Sequence, residues 1–335
     1  MSLTILALLL SAGAIYAACE YFVNGVEWLG RRLHLGDTAT GTVLAAFGTA
    51  LPESAVTFVA VMSDASTTRK DIGVGAALGG PLVLATLAYA IVGAAVWLRR
   101  RRQSPRDYVL RLDHRRQARD QAWFLVIFAA KCSLGLLAFA WKPWLGVLFL
   151  AAYALYVWRE LREAGAEADP EVLAPLKLHP RSGRPAWWRI AVQTGVALVV
   201  IAVASHVFVG HLEALGLAWH WPPHRVALAL SPVATELPET VNALIWVRQG
   251  RERLALANIS GAMMIQATVP SALALFATPW LFDASLLLAG VLTAAAILAL
   301  WLLFRRGRVD ARWLVPVGVF YAVFVAYLVG HAMPA

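Results

Sequence analysis

Two stretches decide how this chain reads: Ala46-Phe-Gly-Thr-Ala-Leu-Pro-Glu53 and Ser231-Pro-Val-Ala-Thr-Glu-Leu-Pro-Glu239. Each sets a carboxylate beside a proline near the middle of an apolar run long enough to cross a bilayer. A charged side chain in that setting costs about 2.5–3.5 kcal/mol on insertion-derived scales, so an intramembrane glutamate points to function. Proline removes a backbone donor and frees a carbonyl one turn back, which a membrane tolerates only where that oxygen faces protein, water or an ion. Glu53 and Glu239 therefore read as one ion site built twice.

The surrounding chain has the composition such a site needs. Of 335 residues, 60% are hydrophobic and 15% charged, and the mean hydropathy is +0.66, which marks an all-α integral membrane protein. The net charge of +9 resides in short loops between apolar runs rather than on one amphipathic face, so it speaks for membrane topology and lipid contact and not for nucleic acid. Cys19 and Cys132 both fall inside apolar runs and imply no disulfide framework. The first apolar run lacks a basic leader and continues through Tyr21, Phe22 and Val23, so it reads as a span rather than a cleaved signal.

Stretches of about 20 apolar residues give ten transmembrane helices, near 3–27, 40–62, 72–98, 122–140, 143–158, 190–212, 226–247, 254–276, 280–304 and 313–332. Charge checks that division. With the N-terminus outside, the inner loops carry two, nine, six, three and four basic residues, which is 24 of the 29 Lys and Arg, as the positive-inside rule requires. Both termini are then expected outside, in a prokaryotic inner or plasma membrane. The run Arg99–Gln121 reads as a solvated basic anchor, with an interfacial helix on the inner leaflet as the alternative. The segment 159–189, rich in proline and acids, reads as a cytoplasmic linker between a first five-helix repeat (1–158) and a second (190–335).

The two halves echo each other. A shift of 186 residues sets Phe22 on Phe208, Val23 on Val209, Glu27 on Glu213, Thr49 on Thr235, Leu51 on Leu237, Pro52 on Pro238 and Glu53 on Glu239. The third spans follow at an offset of 182, with the small residues of 71–80 answering 253–262; their first expected role is close helix packing. Five spans per half is an odd number, so the second copy enters from the opposite side. Inverted repeats are the architecture that sets a transport site near the midplane.

Of the glutamates, only Glu20, Glu27, Glu53, Glu213, Glu236 and Glu239 fall within or at the edges of spans. Glu20, Glu27 and Glu213 sit near span ends, where capping or snorkelling is expected. Glu53 and Glu239, with main-chain oxygens of Thr49 and Thr235, make a hard all-oxygen site that suits Ca2+ better than Mg2+; a soft metal would want sulfur or imidazole. Glu236, three residues before Glu239, is a secondary candidate for a proton-carrying or cavity-lining role. An intramembrane ion pair is the competing reading of the glutamates, with Lys131 of span four as the available base. Two carboxylates without a metal raise each other's proton affinity, so proton antiport needs no additional site.

Gly48-Thr-Ala-Leu-Pro-Glu53 and Ala234-Thr-Glu-Leu-Pro-Glu239, each followed by a small-residue helix, resemble the paired repeats of the cation/calcium exchanger superfamily of sodium/calcium and proton/calcium antiporters. The resemblance covers spans one to three and six to eight. It implies ten helices in inverted repeats, no enzyme activity and no cofactor. It further implies that Glu53 and Glu239 are shared Ca2+ ligands and that Thr49 and Thr235 are carbonyl donors. The chain departs from the motifs G-T-S-L-P-E and G-N-x-x-G-S-N-x-x-N. Ala50 and Glu236 replace the first serine, Gly80 and Ala262 the second, Leu84 and Gln266 the last asparagine, and only Asn258 keeps the first. Asn258 and Gln266 are thus secondary candidates, and most sodium-site side chains are missing. The expected activity is exchange of a divalent cation, Ca2+ foremost, for H+ or Na+ by alternating access. The alternative is a non-transporting scaffold or sensor that keeps the exchanger fold. The expected partners are inorganic cations and lipid; oligomeric state is not read.

Overall fold

The computed structural model describes residues 2–33, 43, 45, 46, 48–50, 54, 57, 67–103, 107–163, 173–180, 185–218, 228, 232 and 235–330. Glu53, and most of the second expected span with it, lies outside the described residues. Helix α1 is Ser2–Arg32; α2 (Thr67–Val83) and α3 (Tyr89–Gln103) join end to end through a π-helical turn, Leu84–Ala88. Then come α4 (His114–Gly135), a 3-10 turn (Lys142–Leu145) leading into α5 (Gly146–Glu163), and α6 (Trp187–Ala218). The second half continues with α7 (Leu237–Gln249), α8 (Glu252–Ala277), α9 (Ala284–Arg305), and a 3-10 turn (Ala311–Val317) leading into α10 (Gly318–Gly330). Among the described residues regular structure is helical, apart from one isolated antiparallel bridge between Val109 and Asp310.

Every expected span except the second has a described helix at its position, and seven helical stretches among the described residues are long and apolar enough to cross a membrane. Two boundaries move for physical reasons. Helix α4 begins at His114, capped by Asp113, whose carboxylate accepts from the N–H groups of Arg115 and Arg116. Helix α9 begins only at Ala284, because buried Trp280 turns the chain at φ 49° and Asp283 caps the new helix.

Helix α8 is buried almost throughout and forms the centre, with α2 against it. Leu3, Leu6, Leu9 and Leu10 of α1, and Val192, Val196, Val199 and Val203 of α6, stand exposed, as lipid-facing surfaces should. Exposed tryptophans lie at helix ends, including Trp144, Trp158, Trp187, Trp188 and Trp313, the arrangement of an interfacial aromatic belt.

Contacts between equivalent helices run head to tail. Gly25 of α1 lies flush against Thr194 of α6, Gln193 donates to Asn24 (3.0 Å), and Trp28 clusters with Ile190. In the third and eighth spans Lys131 bridges Ala77 O (2.9 Å) and Ser271 Oγ (3.1 Å). Further along the same pair, Tyr89 meets Ser260 (3.0 Å) and Arg100 meets Glu252 (2.8 Å). Ascending numbers on one helix meet descending numbers on the other, so both pairs are antiparallel, as inverted repeats demand.

The loops sort into two ends. At one end Arg32 donates to Pro185 O (2.6 Å), Arg100 pairs with Glu252, Arg116 with Glu160 (2.5 Å), and Leu110 N donates to Val309 O (2.8 Å). These contacts join all five loops that carry the basic residues. At the other end Lys142 Nζ donates to Trp280 O (2.9 Å) and Phe282 N to Gly135 O (3.0 Å).

The basic anchor is less solvated than expected. Arg100 and Arg116 are buried, held by Glu252 and Glu160. The described part of the linker also packs: Leu176 is fully buried, Trp28 and Asn24 donate to Ala174 O (2.9 and 3.4 Å), and Lys177 N donates to Asn24 Oδ1 (2.9 Å). Lys177 Nζ also pairs with Glu20 (2.6 Å), which gives that acid, inside α1, a partner.

Candidate functional site

The second motif is built on a kink. Glu236 N donates to Pro232 O (2.9 Å), Glu236 caps α7, and Pro238 takes one of the first two helical positions, where a missing N–H costs nothing. Glu239 then lies in the first turn of α7. Gly250 ends the helix at φ 85°, with its N–H on Trp246 O and Val247 O, and α8 starts two residues later, so α7 and α8 form a tight antiparallel hairpin. Its register is set by Asn258, whose Nδ2 donates to the main-chain oxygen of Glu239 at 3.3 Å.

Glu236, Glu239 and Asn242 recur every third residue and are fully buried, so one face of α7 presents all three. Thr235, 3% exposed, holds its hydroxyl 3.3 Å from Glu236 Oε1 and 3.5 Å from Pro232 O. From α8, Asn258 and Gln266 are fully buried with Ala262 midway between them at four-residue spacing, one stripe of a helix facing α7. Both amide atoms of Gln266, both of Asn242 and Oδ1 of Asn258 are buried without a hydrogen-bond partner. Each such group costs about 1–3 kcal/mol when left unsatisfied, so several of them around one carboxylate mark a place that holds something polar.

The first motif is quieter. Thr49 is fully buried and its hydroxyl donates back to Ala45 O (2.9 Å); Ser54 does the same to Ala50 O (3.1 Å). Glu53, the residue the pairing depends on, lies outside the described residues. Helix α1 touches both motifs one turn apart. A Cβ on Gly48 would stand 2.4 Å from Phe22, and Cys19 Sγ lies 4.0 Å from Pro238 O. Helix α2 reaches the second motif directly, since a Cβ on Gly79 would meet Pro232 at 2.3 Å and Leu228 O at 3.0 Å. Gly79 of the third span thus serves close packing, and that packing lies at the motif.

Other sequence candidates find structural work. Lys131 takes the Ala77 carbonyl, which lies one turn before Pro81 and has lost its helical donor. Glu27 is buried and accepts from Trp246 Nε1 (3.1 Å) and from Arg251, tying α1 to the α7–α8 turn. Glu213 lies on α6. Among the described residues no group of three or more His, Cys, Asp and Glu side chains is disposed to hold a metal.

Three things escaped the sequence reading: Asn242, the buried Arg100–Glu252 and Arg116–Glu160 pairs, and a polar knot of Tyr89, Gln117, Gln121 and Ser260 with contacts of 2.6–3.3 Å. Asn242 alone carried a signal. It is the one asparagine of the seventh span and stands three residues after Glu239.

Comparison with known proteins agrees with this architecture. The family described as sodium/calcium exchanger protein matches residues 3–161 and 190–331. The chain is 26% identical over 275 residues to the inner membrane protein YrbG of Escherichia coli, covering 80% of this chain and 78% of that one. It is 28% identical over 164 residues to cation/calcium exchanger 2 of Arabidopsis thaliana, a match that spans 47% of this chain but only 27% of the plant protein. A solved structure of the sodium-calcium exchanger NCX_Mj superposes with a TM-score of 0.73 at 17% identity, covering 97% of this chain and 98% of that one. At that identity the superposition speaks for the fold.

Proposed function

The chain belongs to the sodium/calcium exchanger protein family, whose members are membrane transporters rather than enzymes, and from that premise we propose that it is an antiporter exchanging Ca2+ for protons. Glu239 and Glu53 are the shared ligands in this reading, with main-chain oxygens of Thr49 and Thr235 completing the shell and Glu236, Asn258 and Gln266 around it. The observation that carries it is Glu239, a fully buried carboxylate in the first turn of α7, on a hairpin whose facing helices also bury the amides of Asn242, Asn258 and Gln266, with Asn242 and Gln266 lacking any hydrogen-bond partner. Two carboxylates neutralise a divalent charge, and oxygen ligands without sulfur or imidazole suit a hard cation.

Coupling follows from the same groups. When Ca2+ leaves, anionic neighbours in a low-dielectric cavity take up protons, and Ca2+ displaces them again from the other side. Protons are preferred to Na+ as the counter-ion because Ala50, Gly80, Ala262 and Leu84 bring no side-chain oxygen to the positions where the superfamily motif has them. Lowering the pH then lowers the apparent affinity for Ca2+, since protonation and metal binding compete. Two five-helix repeats joined by 159–189 would rock about this centre, with the basic loop end cytoplasmic and both termini outside a prokaryotic inner membrane.

The test is uptake of labelled Ca2+ into proteoliposomes under a proton gradient and a sodium gradient applied separately, with other divalent cations as competitors. The reading expects proton-driven Ca2+ accumulation that is lost in Glu239→Gln. Binding of Ca2+ with no flux under either gradient would favour the scaffold or sensor.

A further inference from the structure

Asn242 is the buried polar side chain that the motif pair does not explain. It is fully buried, and neither its Oδ1 nor its Nδ2 has a hydrogen-bond partner. Its neighbours on α7 do not serve it: Ala243 is apolar, and Trp246, one turn on, donates its indole N–H to Glu27. Across the hairpin, counting outward from the Gly250–Arg251 turn puts Asn242 within one residue of the height of Asn258, whose Oδ1 is likewise buried without a partner. Two amide oxygens without partners thus stand close in height on the facing helices.

The direction is toward the carboxylates. Helical side chains lean to the N-terminal side of their own Cα, so the Asn242 amide tilts to the turn that carries Glu239, whose Cβ lies about 5–6 Å away at this spacing. Opposite Glu239 the α8 position is Ala262, which contributes no oxygen and little volume. The face therefore has a carboxylate, an alanine opposite it that brings no oxygen, and one turn on an amide buried without a hydrogen-bond partner.

We propose that Asn242 is a neutral oxygen ligand of the transported divalent cation, supplying through Oδ1 the donor that Ala262 does not. The assignment rests on the antiporter reading of Glu239. An amide carbonyl is an ordinary Ca2+ ligand, and being neutral it adds coordination without the repulsion a third carboxylate would bring. Rotation of the amide also turns Nδ2–H toward Glu239 once the cation has left, so the same side chain serves both states of the site.

The experiment is a Ca2+ titration of the purified protein followed by thermal unfolding, paired with labelled Ca2+ uptake. The variants are Asn242→Leu, Asn242→Ala and Asn242→Asp, with Glu239→Gln as reference. The proposal expects Asn242→Leu to raise the half-saturating Ca2+ concentration about tenfold or more, a loss equal to one good ligand at about 1.4 kcal/mol per decade, while flux at saturating Ca2+ persists. Asn242→Asp, which keeps the oxygen, should hold affinity near wild type at neutral pH and lose it faster as pH falls. Should Asn242→Leu fail to fold, Asn242→Ala carries the same expectation. An unchanged half-saturating concentration, with a higher unfolding temperature in the absence of Ca2+, would overturn the proposal and leave Asn242 a costly buried amide. Loss of the antiporter reading would look different: Glu239→Gln would then titrate and transport like wild type.

Discussion

The two motif regions descend from one pattern yet differ in polarity. Around Glu239 stand Glu236, Asn242, Asn258 and Gln266, all fully buried; at the corresponding positions of the first half stand Ala50, Val56, Ala76 and Leu84. At these four positions the second half has polar side chains where the first has apolar ones, and the first half packs closely, with Gly48 admitting Phe22 and Gly79 admitting Pro232. An inverted repeat needs both copies for alternating access but does not need both to supply equal chemistry. In the proposed mechanism the second half furnishes most of the side-chain ligands, and the first supplies Glu53 and a close-fitting wall.

The largest effect should come from cutting a buried ion pair between the halves. Glu252 accepts from Arg100 (2.8 Å) and from Arg111 N (3.0 Å), and is buried. Glu252→Ala leaves a buried guanidinium without its carboxylate and should cost about 3–5 kcal/mol, read in the thermal midpoint, whereas replacing both Arg100 and Glu252 by Met should recover most of the loss. Next is the wall itself. Gly79→Val drives a Cβ within 2.3 Å of Pro232 and should cost about 1–3 kcal/mol through overpacking, with Ca2+ uptake falling further than stability does. The smallest effect is the most discriminating. The Thr49 hydroxyl is committed to Ala45 O at 2.9 Å, so Thr49→Val should leave the half-saturating Ca2+ concentration within about twofold; a large rise would mean that the Thr49 hydroxyl itself is a ligand.

Much of this was legible in the sequence because it rests on periodicity and sign. Apolar run length located the spans, and the basic residues fell in loops that the structure gathers at one end. The 186-residue offset foretold helices that pack head to tail, and Gly25 against Thr194 is how that looks in detail. What stayed hidden depends on partners far along the chain. A run such as Arg99–Arg102 looks solvated until Glu252, about 150 residues on, buries one member of it. Lys131, the available base in the competing ion-pair reading, also takes a carbonyl that Pro81, four residues on, has freed. Asn242 belongs to no motif; its place three residues after Glu239 was a signal that its burial without a partner makes readable.

The central claim is that one site is shared by two glutamates from opposite halves. Proton-driven uptake of labelled Ca2+ into proteoliposomes, measured for wild type, Glu53→Gln and Glu239→Gln at matched protein density, tests it directly. The account predicts accumulation in wild type and background uptake in each single variant. Uptake at the wild-type level in either variant would contradict it.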